Sequence, residues 1–274
     1  MAKRYLRKPA NNPRDKDIMM GFEISSITTY PIKGLSGQNH EMVQLAKGSL
    51  LAGDREFALS SGTPQSETAA TDSWLKKAHF LQTMTTEALS ALDLSYDASS
   101  GQMVLRDRLG DVLLFDGDVT VKDECDALCR AIARFLDRGN EVPRLFRLSD
   151  GAGMTDTKTP YLAFGNQASI DDFSAKVGMN NDASRYRLNV MMTGDAPFAE
   201  NDLIGKDVQI GTAILRFIEP VGRCAAIEVD PKTAQRRKGL VQDLHNAYGA
   251  ADMGVFASVI SQGQFGLGDK VVIL

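Results

Sequence analysis

From residue 22 to residue 274 the chain runs in short segments rich in β-branched, aliphatic and aromatic residues, each soon cut off by Gly, Pro, Asp or Ser. That texture constrains the fold more than any single motif, because such segments suit strands and such breakers suit the tight connections between them. Strands are expected over residues 22–30, 42–46, 56–59, 80–83, 92–96, 103–106, 112–115, 143–148, 161–164, 186–192, 225–229, 254–260 and 270–274. Residues 208–217 read as one long strand or as a hairpin turning at Gly211. Helical periodicity is clear in only a few places. Over residues 122–136, Cys125, Leu128, Cys129, Ile132, Phe135 and Leu136 share one face. Further on, Ser169 with Asp172 three residues later reads as a capping box, and Gly178 suits the position just past that helix's end. Strands and helices do not alternate, so a dinucleotide-binding fold is excluded. A mainly β, α+β architecture built on barrel-like sheets is expected.

Charge narrows the partners. A net charge of −4 and a pI near 5.5 exclude nucleic acid as a bulk electrostatic partner, so an anionic ligand has to be held by a local cluster of Arg and Lys. Three cysteines, an odd number, do not read as a disulfide framework and fit a reducing compartment. No apolar run approaches the length of a membrane span, and residues 1–21 are polar and basic without the apolar core of a signal peptide. A disordered tail over 1–21 and a cytoplasmic location are therefore expected, with no membrane partner. The Asp150-Gly151-Ala152-Gly153 cluster suggests a boundary between domains at 22–148 and 149–274. The Thr- and Ser-rich stretch 60–73 reads as a surface loop.

The chemistry centres on Cys224, which sits between strand-like runs at Glu219-Pro220-Val221-Gly222-Arg223-Cys224. A positive charge beside a thiol favours thiolate, so this cysteine suits a nucleophile, a sulfur carrier or a ligand to a soft metal; a buried cysteine acting as a small hydrophobe is the bland alternative. Cys125 and Cys129 face the apolar side of their helix and suit core packing better than metal binding. The three histidines, His40, His79 and His245, lie in no hydrolase or zinc-protease motif. Gly48 and Gly53 are spaced as in a phosphate loop, but the lysine and hydroxyl such a loop needs are missing. Lys33, Arg55, Arg187, Asn189 and Arg223 are scattered cations and an amide. If they converge, they suit a phosphate-bearing ligand.

The segment Gly222-Arg223-Cys224 followed by Val229-Asp230-Pro231-Lys232-Thr233 resembles the signature of MOSC domains. Arg187-Leu188-Asn189-Val190, Pro197-Phe198-Ala199-Glu200-Asn201-Asp202 and Gly266-Leu267-Gly268-Asp269-Lys270-Val271 are similar to its other motifs. Tyr30-Pro31-Ile32-Lys33-Gly34-Leu35 and Gly53-Asp54-Arg55 look like the β-barrel domain that precedes MOSC domains in the amidoxime-reducing component family. The resemblance implies an N-terminal β-barrel-like domain and a MOSC β-barrel domain with a few helices, binding molybdenum cofactor (molybdopterin) between them. It implies Cys224 as catalytic residue and molybdenum ligand, with Lys33, Arg55, Asn166, Gln167, Arg187, Asn189 and Arg223 binding the cofactor. The implied reaction is reduction of small N-hydroxylated compounds, with electrons from a separate protein. A sulfur carrier using a Cys224 persulfide and a non-catalytic cofactor-binding module are the alternatives. The chain departs from the family pattern at Gly34, where serine is usual, at Leu188, where proline is usual, and at Ala234, where glycine is usual.

Overall fold

The computed structural model describes residues 21–148, 152–180 and 182–274. The expected tail, apart from Gly21, and the Asp150-Gly151 part of the expected boundary lie outside the described residues.

The first half of the chain contributes β1 (Glu23–Thr29), β2 (Gln38–His40), β3 (Met42–Leu45), β4 (Phe57–Leu59), β5 (Leu92–Tyr96), β6 (Gln102–Asp107), β7 (Val112–Asp118) and β8 (Leu145–Arg147), with helices α1 (Pro64–Thr68) and α2 (Lys122–Phe135). The second half adds β9 (Leu162–Asn166), β10 (Val190–Thr193), β11 (Asp207–Ile210), β12 (Ala213–Gly222), β13 (Asp252–Ser261), β14 (Gly263–Gly266) and β15 (Val271–Ile273), with α3 (Gln167–Val177) and α4 (Leu240–Tyr248). The fold is mainly β with a minority of helix, as expected.

An eight-stranded sheet in the order β15-β11-β12-β13-β9-β10-β1-β2 dominates the molecule. Its ends curl toward each other: Val271 N–H donates to Phe22 O at 3.1 Å and Ile24 N–H to Asp269 O at 3.0 Å, which makes the sheet barrel-like. The hairpin reading of 208–217 holds, with β11 and β12 pairing antiparallel from Asp207↔Arg216 to Ile210↔Ala213. Strands from both expected domains meet in this sheet, where β1 pairs with β10, and again in a separate two-stranded sheet, where β3 pairs with β14. The interior behind it joins Phe22, Ile24, Ile27, Leu45 and Leu50 to Phe164, Phe217, Val255 and Phe265.

A second core is built from the β5-β6-β7 meander, and α2 packs on it. Leu92, Leu94 and Tyr96 alternate inward along β5, while Leu128, Cys129 and Ile132 form the buried face of α2. Each of these large side chains contributes about 1.5–3 kcal/mol on burial. Cys125 and Cys129 thus belong to this core, as their spacing implied.

Several expectations give way to tertiary demands. Residues 80–83 form no strand: Lys77–His79 is a 3₁₀ turn, and the Phe80 ring drops against Phe146 at 5.3 Å. The strand expected from 186 begins only at Val190, because Ala183–Tyr186 is a 3₁₀ turn and Arg187 takes a left-handed backbone (φ 51°). The strand expected over 225–229 is instead a 3₁₀ turn, Ala225–Glu228. The N-cap of α3 is Asn166, whose side chain receives Ala168 N–H at 3.1 Å, rather than Ser169. Gly178 does end that helix in the left-handed conformation (φ 61°). No described helix is long and apolar enough to cross a membrane.

Candidate functional site

Strand β12 delivers Arg223 and Cys224 to the wall of a cavity of about 350 Å3. From the first half of the chain the cavity is lined by Lys33, Gly34, Arg55, Lys77 and the run Leu81-Gln82-Thr83-Met84. The second half of the chain adds Asp156, Tyr161, Arg185, Arg187, Asn189, Cys224, Ile227 and Phe256 to the lining. Its basic members are Lys33, Arg55, Lys77, Arg185, Arg187 and Arg223, against the single lining carboxylate of Asp156. Scattered over the sequence, these cations converge because the two halves of the chain close on each other.

Arg223 is held from behind. Its Nε donates to Val221 O at 3.2 Å and Met253 O at 3.0 Å, and its Nη1 to Tyr186 O at 2.6 Å. Its Nη2 is buried with no partner. Burial pulls this guanidinium down to about 10, opposed by the neighbouring Cys224 and Tyr186. The Cys224 sulfur is half-buried, and its backbone carbonyl starts the next 3₁₀ turn by accepting from Ile227 N–H at 3.1 Å.

Arg187 owes its aim to its left-handed backbone. The guanidinium stacks over the Tyr30 ring at 4.3 Å and donates to Leu35 O. Burial lowers it to about 10, opposed first by Tyr30. Arg55, also left-handed (φ 51°), approaches the same ring at 4.9 Å and donates to Asp54 Oδ2 at 2.5 Å and to Arg187 O at 3.0 Å. Tyr30 is thus held between two guanidiniums, and burial raises its hydroxyl's pKa while those cations lower it. Asn189 is a buried strut: Oδ1 accepts from Ala163 N–H at 3.1 Å and Nδ2 donates to Thr28 O at 3.2 Å. Lys33 Nζ donates to Met154 O at 2.8 Å and to Asp156 Oδ1 at 2.5 Å. Burial is the main influence on this lysine and pushes its pKa down, with Asp156 opposing.

Two sequence-derived candidates are elsewhere. Asn166 is fully buried and spends its amide on Ala196 O at 2.9 Å and Glu200 Oε2 at 3.2 Å while capping α3. Gln167 pairs with Asp171 on the exposed face of that helix at 2.8 Å. Neither lines the cavity: the cap position turns Asn166 back onto the helix end, and Gln167 is spent on Asp171 one turn along the helix. Conversely, Arg185, Asp156, Tyr161 and Phe256 escaped sequence reasoning. The Tyr161 and Phe256 rings lie 5.7 Å apart and give one wall an aromatic surface.

Gly34 has φ +92°, and a Cβ there would come within 3.3 Å of Leu81 O. The replacement of the family's usual serine is therefore matched by a backbone that favours glycine.

Residues 154–272 match the family model described as MOSC domain. No curated protein matches the chain. Among solved structures, the YUAD protein from Bacillus subtilis is similar at 10% identity, covering 93% of this chain and 96% of that one, with a TM-score of 0.44. YiiM from Geobacillus stearothermophilus is 17% identical, covering 41% of this chain and 53% of that one, with a TM-score of 0.34. YiiM from Escherichia coli is 13% identical over the same shares, 41% and 53%, with a TM-score of 0.31. The matches thus span about half the length of the YiiM proteins. The stretch matching the MOSC domain model runs from Met154, whose carbonyl accepts from Lys33, through Arg187, Arg223 and Cys224 to β15.

Proposed function

We propose that the cavity binds molybdenum cofactor, that Cys224 is the thiolate ligand to molybdenum, and that the protein reduces N-hydroxylated compounds. The observation that carries this reading is the six-to-one excess of lining cations over carboxylates around the single cavity cysteine. The residues fit such a group. The orphaned Nη2 of Arg223 has a donor to give, and guanidinium forks match phosphate oxygens. Among the described residues no three His, Cys, Asp or Glu side chains gather as a metal site. A lone thiolate suits a metal that arrives with its own sulfur ligands.

Lys33, Arg55, Arg187 and Arg223 would neutralise the pterin phosphate and orient it. Asn189 would hold the strands that carry them in register. The Tyr161–Phe256 wall would exclude water on one side of the thiol. When bound, the cofactor would supply two-electron chemistry that breaks an N–O bond and releases water, the electrons coming from a separate protein. The test is reduction of an aromatic amidoxime by protein from a cofactor-competent host, with an electron donor supplied. Activity that vanishes in Cys224→Ser supports the reading, and equal activity in wild type and variant refutes it. Cys224, half-buried and lining the cavity, also suits the alternative of a sulfur carrier. An added sulfur on Cys224 after incubation with a cysteine desulfurase, seen by mass spectrometry, is the result that would favour it.

A further inference from the structure

The basic run Arg236-Arg237-Lys238 is not explained by cofactor binding, since none of the three lines the cavity. Arg237 pairs with Asp243 at the surface. Arg236 is different: its side chain is only 14% exposed and joins the segment after Cys224 to the segment at Thr83 and Met84. On the Cys224 side its Nη1 donates to Ala225 O at 3.2 Å, one residue from the thiol, and to Glu228 Oε2 at 3.4 Å. On the opposite side its Nη2 donates to Thr83 O at 3.3 Å and Met84 O at 2.8 Å, and its Nε to Glu87 Oε1 at 2.6 Å. Thr83 and Met84 line the same cavity as Cys224.

The backbone around Arg236 is built for this reach. Arg236 bridges Val229 across a tight loop whose turn is fixed by Asp230, which accepts from Lys232 N–H at 2.8 Å and Thr233 N–H at 3.1 Å. From the other half of the chain, Arg108 grips the same loop by donating to Pro231 O and to Lys232 O at 3.1 Å. The 83–87 segment is otherwise held by its own turn, with Thr85 and Thr86 N–H groups both returning to Gln82 O, and by Thr83 Oγ1, which donates to Gly34 O at 2.9 Å.

We propose that Arg236 is a positioning residue that latches the 83–87 segment against the Cys224 loop and so sets how large a molecule reaches the thiol. The latch rests on the reading that Cys224 is the working group of the cavity. A five-donor planar fork is required, because one side chain has to satisfy carbonyls of two segments and two carboxylates, Glu87 and Glu228; lysine keeps the charge but not the fork.

The test compares alkylation of Cys224 by a small reagent, iodoacetamide, and a bulky one, fluorescein maleimide, followed by peptide mass spectrometry. The full chain is used, made in cells without molybdenum cofactor. Glu87→Gln removes only the ion pair on the outer side, where the carboxylate is 44% exposed, so folding is preserved. It is expected to raise the bulky-to-small rate ratio about two- to fivefold, the range for a partly exposed pair. Arg236→Lys is expected to raise it about tenfold through loss of the forked hydrogen bonds. A ratio unchanged in both variants overturns the latch. The same variants made in a cofactor-competent host separate the two readings. Molybdenum in the wild type with unchanged size selectivity refutes the latch alone, whereas altered selectivity without molybdenum refutes only the cofactor reading.

Discussion

Asp54→Asn is the substitution that most sharply tests the electrostatics of the cavity. Asp54 is 2% exposed and lies just behind the cation cluster. Its Oδ1 accepts Tyr30 N–H at 2.8 Å and its Oδ2 accepts from Arg55 Nη1 at 2.5 Å. Asparagine is nearly the same shape, so packing is preserved, but the charge opposite Arg55 is gone. An amide nitrogen then faces either Arg55 or the Tyr30 N–H. Breaking one side of a buried ion pair costs about 3–5 kcal/mol, because the remaining charge is left uncompensated. At about 2–4 °C per kcal/mol for a chain of this size, the melting temperature should fall by roughly 10 °C. The cluster would also carry one more unbalanced positive charge, so an anion should restore part of the loss. Pyrophosphate at about a hundred times its Kd stabilises a single-site protein by about 2.7 kcal/mol. Thermal unfolding at constant ionic strength, with and without pyrophosphate, reads both effects. A destabilisation under about 1 kcal/mol, or equal pyrophosphate responses in wild type and variant, would refute the reasoning.

Other substitutions test the backbone and the buried charge. Ala234 holds a left-handed conformation (φ 57°); Ala234→Gly should stabilise by about 0.5–1 kcal/mol in urea unfolding, the relief of strain exceeding the added chain entropy. Gly254 has φ +87°, and a Cβ there would meet Phe164 O at 2.4 Å, so Gly254→Ala should cost about 3 kcal/mol or more by the same assay. Glu200 is fully buried with Ser169 Oγ at 2.8 and 2.9 Å from its two oxygens, and burial raises its pKa against the pull of those hydrogen bonds. A raised folded pKa means a stabilising contribution that is complete below the unfolded value of 4.5 and is lost as pH climbs through the folded one. Glu200→Gln should therefore flatten the fall in urea midpoint from mildly acid to neutral pH; an unchanged pH profile would count against it.

Much of the β framework was legible because its signals are local. The Leu92-Leu94-Tyr96 alternation and the Cys125, Leu128, Cys129 and Ile132 stripe each report burial on one face, and the structure buries those faces. Helix α4 went unread although Leu240, Leu244 and Tyr248 stand at helical spacing between Gly239 and Gly249. The 3₁₀ turn after Cys224 was read as a strand from Ile227 and Val229. In the fold, Ile227 is instead buried beside Tyr186 and Leu240, and that packing decides the backbone. The candidate site shows the deeper limit. Arg187 and Arg55 reach Tyr30 through left-handed backbones that no propensity forecasts for arginine. Residues 33, 55, 187 and 223 meet only through long-range closure of the chain. Asn166 and Gln167 were assigned from likeness alone, and the helix start that follows β9 claims both side chains.

The central claim is that Cys224 holds molybdenum in this cavity. Elemental analysis of wild type and Cys224→Ser, purified in parallel from a cofactor-competent host, tests it most directly. The account expects about one molybdenum per chain in the wild type, as one thiolate serves one such centre, and almost none in a folded variant. No molybdenum in the wild type, or equal amounts in both proteins, would contradict it.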